Sequence, residues 1–178
     1  MREKFTALSI PVPEAFFLQP FRERHIATPA AKKPPHVTVL SPFKAMEDVS
    51  EQVLRELTNL FNSRHQFNFT LKSTGCFTDI GVLYLLVEPA NSFQELSQAI
   101  RQKYTEIEPF ISDPILHVTL ARTKDMDSTE KEFYLEYGNQ LPIQATAREV
   151  CLYEKCDNVW RKRNSFSLQI NKFTVQRL

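Results

Sequence analysis

Short apolar segments of strand-like pattern are spread along the whole chain. In these segments hydrophobic residues either alternate with polar ones or run together over a few positions, as in half-buried or fully buried strands. The pattern predicts strands at Phe5–Ile10, Phe67–Leu71, Val82–Val87, Ile143–Tyr153 and Phe166–Ile170.

Segments of helical period lie between these strands. Hydrophobic residues recur every three or four positions over Val49–Phe61 and Phe93–Ile107, which predicts two amphipathic helices. Glu14–Arg24 predicts a further helix, which Pro20 should kink or shorten. A short helix is expected to start at Ser128.

Two more apolar strands carry matching tetrapeptides, His36–Val39 (HVTV) and His117–Leu120 (HVTL). With them, the order strand, helix, motif strand, helix, strand occurs twice along the chain. We therefore predict an α+β fold in one domain over residues 1–178, with two lobes formed from two pseudo-repeats that each contribute one motif strand. Such a pair of lobes would place the two motif strands opposite each other across a groove.

Each motif presents an imidazole and a hydroxyl on one side of its strand. Because side chains alternate faces, His36 and Thr38 point the same way, as do His117 and Thr119, about 7 Å apart along each strand. Two bases and two hydroxyl donors around one polar group suit acid–base chemistry on a phosphate ester. The alternative is that all four are ordinary strand residues that bond to local backbone.

Composition narrows the class of protein. The net charge of +1 gives no broad electrostatic footprint for long nucleic acid, so no long duplex is expected, although a nucleotide or short RNA end remains compatible. Three cysteines are too few for a disulfide scaffold and are expected to be reduced. No apolar run reaches the length of a membrane span, so we predict a cytoplasmic protein, and we also expect a monomer.

The two motifs with their flanking residues resemble those of the two-histidine (2H) phosphoesterases, which include the 2′-5′ RNA ligase-like proteins and cyclic phosphodiesterases. Pro34–Phe43 (PPHVTVLSPF) is similar to the first motif of that family, and His117–Arg122 (HVTLAR) to the second. Glu149–Tyr153 and Asn164–Ile170 resemble its final hairpin. Ser41 stands where many relatives carry a larger residue.

The resemblance implies a bilobal, pseudo-two-fold α+β fold in which two sheets flanked by helices surround a central groove. It also implies that His36 and His117 are the acid–base pair and that Thr38 and Thr119 bind the phosphate. The implied substrates carry 2′,3′-cyclic or 2′-5′ phosphodiester bonds in nucleotides or RNA ends. No metal ion and no cofactor are expected.

Other residues are secondary candidates for the site. Arg122 lies five positions after His117, so strict alternation points it away from the groove, and it reaches a phosphate only if the strand bulges. Alternatively, Arg122 forms an ion pair at the protein surface. Phe43, Tyr153 and Trp160 could contact a base or line the groove, or they could pack in the core.

Basic residues and histidines also occur outside the two motifs, and none of them is expected to be catalytic. Arg161–Arg163 is expected in the turn of the last hairpin, either solvated or in contact with outer phosphates, and Lys32 and Lys33 could fringe the groove. His25 and His65 are expected at helix ends, without a catalytic part.

The sequence thus predicts a phosphodiesterase that hydrolyses, or reversibly forms, 2′,3′-cyclic or 2′-5′ phosphodiester bonds by two-histidine general acid–base catalysis. Which histidine is the base stays open. One alternative is a nucleotide- or RNA-binding module that keeps the groove with little catalysis. Another is an RNA-processing adaptor that engages its partner through Arg161–Arg163.

Overall fold

The computed structural model describes residues 5–27, 33–109, 114–157 and 159–170. Short 3₁₀ turns accompany the regular elements. In chain order the elements are β1 Phe5–Pro11, α1 Gln19–His25, β2 His36–Leu40, α2 Glu51–Asn62, β3 Phe67–Phe77, β4 Val82–Glu88, α3 Asn91–Lys103, β5 His117–Arg122, α4 Met126–Tyr137, β6 Ile143–Ala147, β7 Glu149–Cys156 and β8 Val159–Ser167.

The strands form two four-stranded sheets, in the orders β2-β1-β7-β8 and β5-β4-β3-β6. Every pair of neighbouring strands is antiparallel. The predicted α+β class with two sheets and flanking helices is therefore confirmed. Among the described residues each motif strand is the edge strand of its sheet, since β2 neighbours β1 and β5 neighbours β4 at the ends of the two strand orders.

Each sheet contains strands from both halves of the chain. β3 follows the first motif strand in the chain but pairs with β4 of the second sheet, while the C-terminal hairpin β7–β8 completes the first sheet. In each sheet the motif strand thus neighbours the strand that precedes it in its own repeat. The exchange interlocks the two halves of the chain.

One predicted strand proves to be two. Ile143–Tyr153 was expected to be continuous, but the chain leaves the second sheet after Ala147, passes through Arg148 and enters the first sheet at Glu149. Neither glycine nor proline marks the break. Arg148, the residue at the break, forms an ion pair with Glu14, in which Nη1 and Oε1 are 2.6 Å apart.

The prediction for the last hairpin was also wrong in position. β8 spans Val159–Ser167 rather than Phe166–Ile170, so Arg161–Arg163 lies within a strand and not in the turn. Cross-strand charge explains this placement. Arg161 pairs in register with Glu154, and Arg163 donates to Glu154 from its Nε at 2.7 Å.

The observed helix boundaries differ in several places from those predicted. The predicted Glu14–Arg24 helix is a 3₁₀ turn followed by α1, and Pro20 stands in the first turn of α1, where its missing N–H costs nothing. α3 ends at Lys103, before the expected Ile107. Asp125, rather than Ser128, caps α4 by accepting a hydrogen bond from the Ser128 N–H at 3.2 Å.

His25 and His65 lie at or just after helix ends, as expected. His25 is the last residue of α1, and its Nε2 lies 3.1 Å from Glu132 of α4. His65 follows α2 and forms an isolated bridge with Gln169. Both contacts tie helix ends to distant parts of the chain.

Apolar side chains from both sheets and from the helices form one hydrophobic cluster. Helix packing crosses between the halves: α1 lies on β5, and α3 lies on β2. The motif strands β2 and β5 also contact each other. This cross-packing holds the two edge strands together. None of the helices described above is long and apolar enough to cross a membrane.

Candidate active site

The two motif histidines make the same hydrogen bond. Nδ1 of His36 lies 2.7 Å from the carbonyl oxygen of Pro34, and Nδ1 of His117 lies 2.6 Å from that of Ile115. A carbonyl can only accept, so Nδ1 carries the proton in both rings. In a neutral ring Nε2 is then left as the acceptor, which is the form a general base requires.

A bulge follows the threonine in both motif strands. In the first sheet Thr38 pairs with Ser9 and Leu40 with Leu8, so Val39 has no partner across the ladder. In the second sheet the bulged residue is Leu120. The two bulges occupy the same position in each motif.

The bulge after Thr119 decides where Arg122 points. A bulge places two consecutive residues on one side of the strand, and here Leu120 and Ala121 are both buried. Arg122 therefore returns to the side that carries His117 and Thr119, and it is exposed there. Burial is the main cause of the lowered pKa of His117, and the charge of Arg122 lowers that pKa further. Arg122 can therefore face the groove, although strict alternation predicted the opposite side of the strand.

The motif strands share a pocket of about 210 Å³. Thr38 and Ser41 from the first motif line it, and so do His117 and Ile115 from the second. Thr119 is partly exposed, as are both histidines. The structure thereby brings polar groups from both motifs to one place.

Both imidazoles favour the neutral form in the free protein. Burial, followed by the charge of Lys33, lowers the pKa of His36 well below its ordinary value. Smaller effects in the same direction come from the charges of Arg22 and of His117. Burial also lowers the pKa of His117, while its hydrogen bond to Ile115 opposes that shift.

Aromatic rings surround His117. The ring centroid of Tyr84 lies 4.9 Å from that of His117, and Phe77 contacts it edge-on at 5.2 Å. Gly75 makes this possible, because a Cβ there would lie 2.6 Å from the Tyr84 ring. Sequence analysis missed Phe77 and Tyr84, which carry no motif signal.

A buried lysine stands beside His36 instead. Lys33 was expected to fringe the groove, but it is only 4% exposed, and its Nζ donates to Ser9 Oγ at 2.9 Å. The ammonium also lies 4.3 Å from the ring centroid of Tyr153 and 4.5 Å from that of Trp160. Burial lowers the pKa of Lys33 to about 7. Lys32 lies outside the described residues.

Arg22 joins the two halves beneath the site. It is 2% exposed, and its Nε donates to the carbonyl of Thr119 at 2.9 Å. Its Nη1 donates to the carbonyl of Lys33 at 2.9 Å and to Gln19 Oε1 at 2.6 Å. One guanidinium therefore spans from β5 to the segment that leads into β2. Nothing in the sequence marked it.

The three aromatic candidates from the sequence differ in how far they are buried. Phe43 is 3% exposed and its ring centroid lies 5.2 Å from that of Tyr104, which favours core packing, one of the two alternatives for this residue, over contact with a base. Tyr153 is 5% exposed, and its ring centroid lies 6.5 Å from that of His36. Trp160 is partly exposed and meets Phe5 edge-on.

The cysteines of this chain are not paired in disulfides. Cys76, Cys151 and Cys156 are free thiols. Within the ranges that the structure describes, no cluster of three or more histidine, cysteine, aspartate or glutamate side chains could hold a metal ion.

The fold and the paired motifs correspond to a known family. The family model of the 2′-5′ RNA ligase superfamily matches residues 10–158. The chain belongs to this superfamily, whose members are two-histidine phosphoesterases.

Individual relatives agree with this assignment. A Bacillus cytotoxicus protein named "Putative phosphoesterase" is 26% identical over 145 residues, which cover 76% of this chain and 79% of that protein. The crystal structure of Escherichia coli LigT with 3′-AMP superposes with a TM-score of 0.60 at 18% identity and covers 93% of this chain and 98% of LigT. The LigT complex with ATP gives 0.61, also at 18% identity, over 94% of this chain and 99% of LigT.

Proposed function

We propose that this protein is a phosphodiesterase that needs no metal ion and that hydrolyses, or reversibly forms, 2′,3′-cyclic or 2′-5′ phosphodiester bonds in nucleotides or RNA ends. The observation that carries the proposal is the matched hydrogen bonding of His36 and His117. Both rings are fixed by Nδ1 to local backbone, on contacting edge strands, with Nε2 left for chemistry.

The reaction uses the two rings in opposite protonation states. One neutral imidazole takes a proton from the attacking water or ribose hydroxyl, and the other, protonated, gives its proton to the departing oxygen. Burial keeps both rings neutral in the free protein, so the negative charge of a bound phosphate is what favours the protonated form of one of them.

The remaining polar groups bind the phosphate. The hydroxyls of Thr38 and Thr119 donate to its non-bridging oxygens, and Arg122 balances the charge that develops there. This role for Arg122 follows from the bulge at Leu120. Three donors from two strands hold the phosphorus between the rings.

A nucleotide is the substrate class we propose. The LigT structures, which share the fold, hold 3′-AMP in one case and ATP in another. In this chain Phe77 is partly exposed beside His117 and offers a ring against which a base can stack. Trp160, which is partly exposed, is a second aromatic ring that we propose lines the groove.

Hydrolysis of a 2′,3′-cyclic mononucleotide in the presence of EDTA tests the proposal. The wild-type protein should open the ring, and His36→Gln and His117→Gln should each lower kcat by at least about 10²-fold. Nucleotide binding should be partly retained in both variants. Turnover that survives both substitutions would rule out the acid–base pair, and binding without turnover in the wild type would favour a nucleotide-binding module.

A further inference from the structure

The pocket between the two motifs adjoins a larger cavity along helix α3. This cavity, of about 650 Å³, is called the α3 cavity below. It shares four lining residues with the smaller pocket, which are Val39, Ser97, Arg101 and Pro114. We propose that the α3 cavity is a subsite for the nucleotide next to the reacting one and that Arg101 binds the phosphate of that nucleotide. This inference rests on the proposed function and names the substrate class of the same site, an oligonucleotide end.

One side of α3 forms a polar wall of the α3 cavity. Four polar lining residues follow the spacing i, i+3, i+4 and i+7, which places side chains on one face of a helix: Gln94, Ser97, Gln98 and Arg101. Leu96 and Ile100 lie between them in the sequence and are buried in the hydrophobic core. The core therefore anchors one side of the helix, and the opposite side presents polar groups to the cavity.

Arg101 supplies the positive charge of this wall. Of the described residues that line the α3 cavity, Arg101 is the one with a formal charge, and the others are apolar or neutral and polar. A guanidinium presents several N–H donors in one plane, and this arrangement matches two oxygens of a phosphate. A single cation in an otherwise neutral cavity suits a ligand that brings one phosphate.

The neutral lining residues suit the rest of a nucleotide. Gln94, Gln98 and Gln102 each carry an amide with two N–H donors and one carbonyl acceptor. The edges of bases and the ribose hydroxyls present complementary donors and acceptors. Phe93 and Leu116 add apolar surface to the same cavity. One cation, several amides and an apolar patch together match one nucleotide unit.

The sizes of the two cavities agree with this division. Pockets for small organic ligands typically measure roughly 300–1,000 Å³. The pocket that Thr38 and His117 line is smaller, about 210 Å³, and suits the reacting phosphate with part of its ribose. The α3 cavity, about 650 Å³, lies within the range for a nucleotide-sized ligand. A second nucleotide would therefore fill space that a mononucleotide leaves empty.

The α3 cavity and the proposed stacking ring approach the histidines from different sheets. Helix α3 packs on β2 of the first sheet, whereas Phe77 belongs to β3 of the second sheet and contacts His117 edge-on. The terminal base can therefore stack on Phe77 while the neighbouring nucleotide lies along α3. Arg101 lines the same pocket as His117 as well as the α3 cavity, which places it to bind the phosphate next to the reacting one.

Turnover of two substrates with the same reacting end tests the subsite. One is a 2′,3′-cyclic mononucleotide, and the other is a dinucleotide that ends in the same cyclic nucleotide. In the wild type, kcat/KM should be at least about tenfold higher for the dinucleotide, because the remote nucleotide adds binding energy to the same chemistry. Equal values, or a higher value for the mononucleotide, would overturn the inference.

Arg101→Met should remove most of the advantage of the dinucleotide. The ratio of the two kcat/KM values should fall about tenfold, since a charge-assisted contact with phosphate is lost. The ratio is the proper measure because Arg101 borders both cavities, so an effect on the reacting nucleotide cancels. Lys103→Met removes a positive charge from the same helix outside the lining of the α3 cavity and should leave the ratio unchanged. A ratio that Arg101→Met leaves unchanged, or that Lys103→Met lowers equally, would overturn the inference.

Gln98→Ala decides the matter if Arg101→Met does not fold. Gln98 lines the α3 cavity but not the smaller pocket, and alanine is the residue that helices accept best. In that case the ratio for Gln98→Ala should be about three- to tenfold below that of the wild type, because a hydrogen bond to the second nucleotide is lost. An unchanged ratio would overturn the inference.

Isothermal titration calorimetry distinguishes failure of the subsite from failure of the proposed function. The probes are the 3′-phosphorylated mononucleotide and the 3′-phosphorylated dinucleotide, which need no turnover. The dinucleotide should bind at least about tenfold more tightly, and Arg101→Met should remove most of that difference. Such binding by a protein that turns over neither cyclic substrate would contradict the proposed function and leave the subsite intact. Equal affinities of the wild type for the two probes would overturn the subsite.

Discussion

Nε of Arg22 donates a hydrogen bond to the main-chain carbonyl of Thr119, 2.9 Å away. The donor belongs to the helix before the first motif, and the acceptor belongs to the second motif itself. Together with the bond from Arg22 to the Lys33 carbonyl, this contact fixes the separation of the two motif strands. A buried guanidinium thus serves as the brace between the halves of the site.

Replacing Arg22 by Met should destabilise the protein. The substitution leaves the carbonyls of Thr119 and Lys33 buried without this donor, and we expect a loss of about 3 kcal/mol in the free energy of unfolding. Urea denaturation measures this. Arg24→Met in the same helix is the control, because its ion pairs to Glu132 and Glu136 are exposed and should be worth less than about 1 kcal/mol. Equal losses in the two variants would contradict the bracing role.

Adding a methyl group at Gly75 should disturb His117 through Tyr84. The new Cβ would lie 2.6 Å from the Tyr84 ring, so the ring must move, and we expect a loss of about 1–3 kcal/mol in stability. Misplacing the imidazole should also lower kcat about tenfold or more. Gly138→Ala is the control, since φ is −57° there and the nearest side-chain atom is 3.3 Å away.

A double variant separates crowding from other effects of the methyl group. With Tyr84→Ala the new Cβ has room, so Gly75→Ala should cost little further stability in that background. Denaturation of the single and double variants gives the coupling energy between the two positions. Additive losses would mean that the Tyr84 ring is not what Gly75 accommodates.

Arg122→Met should reduce activity without reducing stability. The side chain is exposed and points to the site only because of the bulge at Leu120. Loss of one charge-stabilising donor typically costs about 10²-fold in rate, and we expect that fall in kcat/KM. Arg161→Met, on exposed β8, should leave kcat/KM unchanged. A similar fall in both variants would point to a general loss of positive charge instead.

Stability should fall at acidic pH because of His36. Its pKa in the folded protein is lowered well below the ordinary value of 6.5, so the unfolded chain binds more protons below about pH 6.5. Folding free energy is therefore lost as pH decreases through that range, by up to about 1.4 kcal/mol per pH unit for one histidine. Denaturation of the wild type and of His36→Gln at pH 7.5 and 5.5 measures this effect. The loss of unfolding free energy between the two pH values should be smaller in the variant. Equal pH dependence in the two proteins would contradict a lowered pKa of His36 in the folded protein.

The sequence predicted the structure best where the alternation of side chains along a strand decides which side each residue faces. The apolar strands around His36 and His117 predicted both motif strands, the repeated element order predicted an α+β fold, and the family resemblance implied its two sheets. The bulges at Val39 and Leu120 could not be predicted, because valine and leucine fit a regular strand equally well. The orientation of Arg122 depended entirely on one of them.

Longer-range packing explains the other differences. Lys33 looked like a solvated residue because nothing nearby in sequence signals Tyr153, Trp160 or Ser9, which come from three other strands. The break at Arg148 is set by the change of sheet rather than by a local turn signal. Such placements depend on which strands become neighbours, and local patterns do not specify that.

The most direct test of two imidazoles acting on one phosphorus is a crystal structure with a bound 2′- or 3′-mononucleotide. The account predicts one phosphate whose oxygens lie within about 3 Å of Nε2 of both His36 and His117, with Thr38 and Thr119 donating to its other oxygens. A phosphate held by only one of the two histidines, or bound away from both, would contradict it.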